Sequence, residues 1–256
     1  MENYKCKSVG IVGSGIQGVC TGLQLIKKGI PVTIFDRHDP LSNEFKPASY
    51  GNAGHFSPYA SLQLNRTDVL SDVPSMLLSN RGPLALKWNY LHKMIPWFTK
   101  FIINSSKTKM MHTAKYMHQI LDLSLPAYEE LFDEIDTENL VVSNGIMYIW
   151  NNKNLSSREL EINIREKLGV KQQLLNPKEI HDLEPNIKPI YDGGVFYSYA
   201  KHTNNPRRLL LKLFDLFLQK EGKFYKYQIK DINFDEDKPV LRTESQRFVF
   251  DKIVIA

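Results

Sequence analysis

With 256 residues, 42% hydrophobic and 24% charged, the chain has the composition of a globular protein, long enough for a substantial core or two domains. Its formal net charge of +5 is spread without any block of five or six consecutive cations, which argues against a nucleic-acid footprint, although a mild excess can assist attraction to anionic cofactors or membrane surfaces. The two cysteines, Cys6 and Cys20, show no CxxC or Cys/His ligand spacing, so no structural metal site and a reducing, cytoplasmic setting are expected.

Residues 1–5 lack the apolar core of a signal peptide. The first predicted unit is Lys7–Asp36. A short apolar run, Val9–Val12, leads into Gly13-Ser14-Gly15-Ile16-Gln17-Gly18. A helical pattern follows, with Ile16, Val19, Cys20, Leu23 and Ile26 three or four residues apart, and Cys20 reads as a small core residue. Gly29 sits where a helix-ending glycine belongs, Pro31 discourages continuation, and Val32–Phe35 forms a second apolar run ending on Asp36. Strand, glycine turn, helix, strand and acid form one βαβ unit of the dinucleotide-binding kind. In it Gly13 permits the turn, Gly15 lets backbone approach a pyrophosphate, and Gly18 lets the helix pack on the strand. The helix N-terminus offers N–H groups and a positive dipole end, and Asp36 accepts from a ribose hydroxyl. The motif does not separate FAD from NAD.

Residues 37–60 read as loop. Within them, Ser49-Tyr50-Gly51-Asn52-Ala53-Gly54-His55 places small residues where backbone can come close to a ligand. Ser49 and Asn52 carry side chains able to bond phosphate or ribose oxygens; on composition alone an ordinary surface turn competes with that reading.

GIVGSGIQG, then VTIFDR, then ASYGNAGHFSP together resemble the FAD-dependent D-amino-acid dehydrogenase branch of the glycine/D-amino-acid oxidase superfamily. Val73–Ser79, Gly82-Pro83-Leu84-Ala85-Leu86-Lys87-Trp88 and Ile95-Pro96-Trp97-Phe98 extend the resemblance over the first 100 residues. It implies an α/β fold: a Rossmann-like FAD-binding domain with an inserted α+β substrate domain. The expected divisions are 1–85 and 200–256 for the FAD-binding domain and 86–199 for the substrate domain. It further implies that the chain is the N-terminal portion of a longer enzyme, lacking the C-terminal part of the family fold. The implied FAD contacts are Val12, Gly13, Ser14, Gly15, Ile16, Gln17, Gly18, Asp36, Arg37, Ser49, Asn52, Ala53 and Gly54, with backbone of Ile229 toward the adenine. His55, after the Asn-Ala-Gly loop, is a candidate hydrogen-bond donor or proton carrier near the flavin; packing beneath the cofactor is the alternative.

Further along, residues 89–135 read as helical. Leu91, Ile95, Phe98 and Ile102 form one stripe, and Pro126 is expected to end or bend a second helix. The apolar run Met94–Ile103 is interrupted by Pro96 and Lys100 and is too short to span a bilayer. LVVSNGIMYIW, residues 140–150, reads as a hairpin about Asn144-Gly145. A helix is predicted over 157–168, ended by Gly169. Asn176-Pro177-Lys178-Glu179 reads as N-cap, N1 and capping-box acid of a short helix. Gly193–Tyr197 reads as a strand. Asn205-Pro206 starts a helix whose apolar face is Leu209, Leu210, Leu213, Phe214 and Phe217, with Gly222 as its C′ residue. Strands are expected over 223–232, 240–242, 248–250 and 251–256.

The implied reaction is oxidation of the C–N bond of a small amino acid, D-amino acids favoured, to an imine and then a 2-oxo acid. The electrons pass to a quinone or another acceptor. A sarcosine- or glycine-oxidase-like flavoenzyme and a truncated, non-catalytic dinucleotide-binding remnant are the alternatives. Nucleic-acid partners are not expected; peripheral contact at the inner face of a membrane is compatible with the charge.

Overall fold

The computed structural model describes residues 6–63, 65, 73, 77, 87–151 and 155–256. Most of Val73–Ser79, all of Gly82–Leu86 and the expected division at residue 85 lie outside the described residues. The chain forms two compact units: one from the segments up to His55, Glu129–Val142 and His202–Ala256, the other from Phe56–Tyr128 and Ser143–Lys201.

In the first unit, β1 (Val9–Val12), α1 (Ile16–Lys27) and β2 (Val32–Asp36) realise the predicted βαβ. β1 lies between β2 and the strand Lys252–Ile255, and β2 pairs on its other side with Lys223–Lys226; all pairings are parallel. Val9, Ile11, Val32, Ile34 and Phe35 are buried, as strands covered on both faces require. α1 buries Gly18, Val19, Gly22 and Leu23, while Cys20 stays half-buried. It ends at left-handed Gly29 (φ 73°), with Ile30 N–H donating to Leu25 O at 3.1 Å.

The helix Pro206–Gln219 buries Leu209, Leu210, Leu213, Phe214 and Phe217, each contributing about 1.5–3 kcal/mol by leaving water. Asn205 caps it, accepting from Arg208 N–H at 2.9 Å. Its C′ residue is Glu221 (φ 64°), not Gly222. Glu221 N–H donates to Leu218 O (3.1 Å) and Gly222 N–H to Phe217 O (2.9 Å), a Schellman ending. Gly222 is needed for space instead: a Cβ there would lie 2.4 Å from Phe217 Cζ.

The Glu129–Val142 segment is tied to both helices by ion pairs. Glu134 meets Lys27 at 3.2 Å and also Lys220; Glu130 meets Lys27 at 3.2 Å and Asp136 meets Lys212 at 2.8 Å. The expected strand over 223–232 breaks after Lys226. Residues Asp231–Asp235 pair instead, antiparallel, with Lys238–Arg242, which pairs with Arg247–Val249. Apolar residues suit either ladder; Phe35, Leu241 and Phe250 form the core that draws Tyr227, Ile229 and Ile232 together across the break.

The second unit has an antiparallel sheet with Gly193–Tyr197 between Ile146–Trp150 and Gln173–Leu175. Its core holds Tyr59, Val170, Val195, Tyr197 and Ala200, with Tyr59 and Tyr197 stacked 3.8 Å apart. Asn176 accepts from Lys178 and Glu179 N–H (2.9 and 3.0 Å) while Glu179 accepts from Asn176 N–H (2.8 Å), the predicted capping box.

Two predictions fail here. The expected hairpin about Asn144-Gly145 does not form: Val141–Val142 pairs with His202–Thr203, whereas Ile146–Trp150 pairs with Gly193–Tyr197. Both arms meet longer-range partners, and Gly145 (φ 78°) serves a turn without a ladder. Pro126 does not end a helix either. One helix, Lys107–Asp122, stops before Leu123, and Pro126 lies in the first turn of the next, Ser124–Phe132, where its missing N–H costs nothing.

Candidate dinucleotide site

The parallel register sets Val12 opposite both Phe35 and Ile255, so the carboxyl ends of three strands converge on the glycine turn. Gly13 N–H donates to Phe35 O (2.8 Å), and Ala256 N–H donates to Val12 O (2.8 Å). The three motif glycines then divide by role. Gly13 takes φ 111°, and a Cβ there would lie 2.2 Å from Ala256 O. A Cβ on Gly18 would lie 2.0 Å from Gly13 O, so α1 could not rest against the turn. Gly15 has no such constraint. Its φ of −66° suits any residue, and the nearest protein atom to a Cβ would be Pro47 Cβ at 3.8 Å. What it borders is a cleft of about 690 Å³.

Asp36 closes one side of the cleft. Oδ2 accepts from Ser14 N–H and from Ser14 Oγ–H, each at 2.9 Å, and Oδ1 accepts from His38 N–H at 3.1 Å. Ser14 is fully buried, so its hydroxyl fixes the carboxylate's orientation and lies beneath it. Gly15 is the N-cap of α1 with no side-chain cap, and the first turn of α1 holds no acid. The positive end of the helix is therefore left for a ligand anion.

The opposite wall is the loop before and through the Ser49 motif. Pro47 leads into a 3-10 turn, Ala48–Gly51. Tyr50 anchors that turn, its ring edge-on to Phe45 at 5.8 Å and Arg207 Cζ 5.9 Å from its centroid. Burial raises the Tyr50 hydroxyl above its ordinary pKa, against the opposing pull of the Arg207 guanidinium. Ser49 Oγ is buried without a hydrogen-bond partner among the described residues, an orphan polar atom at a cleft it lines. Asn52 Oδ1 accepts from Gly54 N–H at 2.8 Å and holds the loop's own shape.

Of the expected contacts, Gly13, Gly15, Ile16, Gln17, Asp36, Arg37, Ser49 and Asn52 line the cleft. The others sit elsewhere. Val12 and Ile229 pack around the Phe35 cluster. Ser14 and Gly18 support from beneath. Ala53 is exposed. Gly54 (φ 69°) backs onto Thr203, whose N–H donates to Gly54 O at 2.8 Å. His55 is exposed, its ring 6.3 Å from that of His202. Sequence reasoning missed His38 and the run Glu44–Ala48, which also line the cleft. The one available signal was Pro47, an extended residue placed before a turn. Among the described residues no cluster of three His, Cys, Asp or Glu side chains could hold a metal ion, and no helix is long and apolar enough to cross a membrane.

The fit to FAD rests on these observations: a glycine whose missing side chain no protein atom requires, an uncapped helix N-terminus, an orphaned hydroxyl and an oriented acid. A family model described as "DAO: FAD dependent oxidoreductase" matches residues 8–256. The chain is 27% identical over 252 residues to a D-amino-acid oxidase of Bradyrhizobium diazoefficiens, covering 98% of this chain and 59% of that protein. It is 21% identical over 253 residues to a D-amino acid dehydrogenase of Helicobacter pylori, again covering 98% and 59%. The chain thus spans somewhat over half the length of the curated relatives it matches. In fold it is similar to glycine oxidase from Geobacillus kaustophilus, with TM-score 0.61 and 18% identity over 97% of this chain and 54% of that one. It is also similar to L-amino acid deaminase from Proteus vulgaris, with TM-score 0.64 and 12% identity over 98% and 47%.

Proposed function

The chain belongs to the DAO family of FAD-dependent oxidoreductases, and from that premise we propose that its first unit binds FAD in the cleft between the glycine turn and the Ser49 loop. We propose further that the whole protein oxidises the C–N bond of a small amino acid, D-amino acids first. The observation that carries the cofactor assignment is Gly15, open toward the cleft where a Cβ would meet no protein atom closer than 3.8 Å. Gly15 and the start of α1 receive the pyrophosphate, because both bring backbone N–H groups and positive dipole to it without a side chain between. Asp36 accepts from ribose hydroxyls, its orientation set by Ser14. Ser49 and Asn52 face phosphate or ribose oxygens from the opposite wall.

Bound there, FAD supplies the two-electron acceptor for an amine oxidation that yields an imine, which water hydrolyses to a 2-oxo acid and ammonia. The names of the curated relatives support the D-amino-acid reading. We assign no proton-transfer step to His55, whose side chain is exposed.

The test is flavin binding followed by turnover. Wild-type chain titrated with FAD is expected to quench flavin fluorescence. Asp36→Ala is expected to bind about 5- to 150-fold more weakly, the loss of one or two bonds to a charged acceptor. A thermal melt checks that the variant folds, and Asp36→Asn serves if it does not. Equal affinity in wild type and a folded variant would refute the ribose assignment. In the full-length protein with an artificial acceptor, D-amino acids are expected to be oxidised faster than glycine or sarcosine; the reverse order would move the protein to the glycine-oxidase-like reading.

A further inference from the structure

The helix Leu155–Lys167 of the second unit carries Arg158, Glu161, Ile162 and Arg165 on one face, at the three- and four-residue spacings of helical neighbours. Packing against a sheet ordinarily calls for an apolar stripe there; this face holds three charged side chains instead. It borders a cavity of about 170 Å³. From the antiparallel sheet Tyr148, Trp150, Val195 and Tyr197 line the same space, and Tyr59 reaches it from the segment before the helices. The strand register leaves the room: Tyr148 stands opposite Val195 and Trp150 opposite Gly193, so each bulky side chain faces a smaller residue.

Protein contacts fix the charges at this cavity. Glu161 accepts from Arg165 Nη1 at 3.1 Å and from Arg158 Nη1 at 3.4 Å. Arg165 Nε donates to Tyr59 O at 3.3 Å, and its Cζ lies 5.9 Å from the Tyr197 ring centroid. Two guanidinium groups against one carboxylate leave one positive charge. Two buried polar atoms of the lining residues have no hydrogen-bond partner among the described residues: Arg158 Nε and the Tyr197 hydroxyl. Tyr197 is 1% exposed and stacked flat on Tyr59, so its ring cannot carry the hydroxyl out to water. Burial raises that hydroxyl above its ordinary pKa against the pull of Arg165, which keeps it protonated. Both atoms can therefore donate, and neither has an acceptor. Arg158, with its side chain 43% exposed, marks the side of the cavity open to solvent.

A ligand that answers both donors and the surplus positive charge brings a carboxylate. Ala60, Leu62, Ile149 and Ile162, also in the lining, ask for an apolar body. An apolar cavity of about 150 Å³ takes benzene, which sets the size. An ammonium group fits less well, because Glu161 is already committed to both arginines. We propose that this cavity binds a small monocarboxylate with an apolar body and no ammonium group, a class that includes 2-oxo acids and leaves out amino acids. The proposal holds whatever reaction the whole protein performs.

The test follows the indole N–H of Trp150, one of three tryptophans, in nuclear magnetic resonance spectra of the 256-residue chain, with Trp150→Phe identifying the signal. Titration with 3-methylbutanoate is expected to shift it with a Kd of about 1 mM or tighter, and 3-methylbutan-1-ol and D-leucine to bind at least about tenfold more weakly. Tyr197→Phe keeps the ring stack and removes a hydroxyl that has no partner. The unliganded variant should therefore melt at the same temperature or higher, while its affinity for the carboxylate falls about tenfold. Arg158→Met should lower affinity by at least as much and leaves Glu161 its bond to Arg165. A Trp150 signal unmoved at about 10 mM carboxylate would overturn the proposal. So would alcohol and carboxylate binding equally, the mark of a plain apolar void, or D-leucine binding as tightly, the mark of an amino-acid pocket. Unchanged carboxylate affinity in both variants would overturn it as well.

Discussion

The division of labour among Gly13, Gly15 and Gly18 makes a prediction that separates folding from ligand binding. Gly15→Ala adds a methyl whose nearest protein neighbour is 3.8 Å away, at an ordinary φ of −66°. The unfolded chain loses about 0.4–1 kcal/mol of conformational entropy, which favours folding. Alanine is a poorer N-cap than glycine by a comparable amount. The two offset each other, so the stability of the cofactor-free protein should change by less than about 1 kcal/mol. Gly18→Ala, by contrast, drives a Cβ to 2.0 Å from Gly13 O, a backbone atom that cannot swing aside. Helix and turn must part, at about 1–3 kcal/mol or more.

Toward FAD the order reverses for Gly15. A methyl in the path of the pyrophosphate removes one or two charge-assisted bonds, about 2–4 kcal/mol, or roughly 30- to 1,000-fold in Kd. Urea denaturation of each cofactor-free variant and a flavin fluorescence titration give both quantities. A Gly15→Ala protein that binds FAD within threefold of wild type would refute the phosphate assignment. One that loses as much stability as Gly18→Ala would refute the claim that no protein atom requires this glycine.

Two further predictions concern the first unit's stability. Glu221→Gly should stabilise the protein by about 1 kcal/mol, because a non-glycine residue at φ 64° carries a steric cost that glycine does not, whereas Gly222→Ala beside it should destabilise by about 1–3 kcal/mol through contact with the Phe217 ring; denaturant midpoints that move in the same direction would contradict the helix ending described here. Lys220 first and Lys27 second hold the Glu134 carboxyl below the usual carboxylate range, so the stabilisation is complete above the unfolded value of about 4.3 and is lost as pH falls through the lower folded value; Glu134→Gln should flatten the acid limb of the stability-versus-pH curve, and an unchanged limb would place the acid-sensitive group elsewhere.

The N-terminal βαβ was legible because it is built from neighbours in sequence. Glycine spacing, the apolar stripe of α1 and the acid after β2 are all local, and the chemistry they serve needs that order. The Asn176–Glu179 capping box and the Asn205 cap were equally legible, since a cap contacts backbone within three residues of itself. Failures came where pairing is settled by distant chain. The arms on either side of Asn144-Gly145 have good hairpin chemistry, but Thr203 and Tyr197 offered each arm a separate partner, and a ladder with a buried face outcompetes a two-residue turn. The Lys223–Ile232 run broke because its two halves reach different ladders over one core at Phe35. Pattern alone carried no sign that Glu129–Val142 joins the first unit, since the ion pairs that hold it there come from Lys27, Lys212 and Lys220, far away in the chain.

At the site, the sequence by itself picked out the glycine turn, the start of α1 and Asp36, which the structure brings to one cleft, because the motif encodes a turn, a helix start and an acid at set distances along the chain. It also named a role for each glycine: the turn at Gly13, pyrophosphate approach at Gly15 and helix packing at Gly18. Tertiary structure added the contact that enforces Gly13: the return of Ala256 beside Val12 puts Ala256 O 2.2 Å from a Cβ there, whereas Gly18 is closed off locally by Gly13 O and Gly15 stays open. The Glu44–Ala48 wall is likewise a product of packing, set by Tyr50 against Phe45 and Arg207. A chain can write down the contacts within its own neighbourhood; close approach between distant segments depends on the summed packing of the whole core, which no local pattern contains.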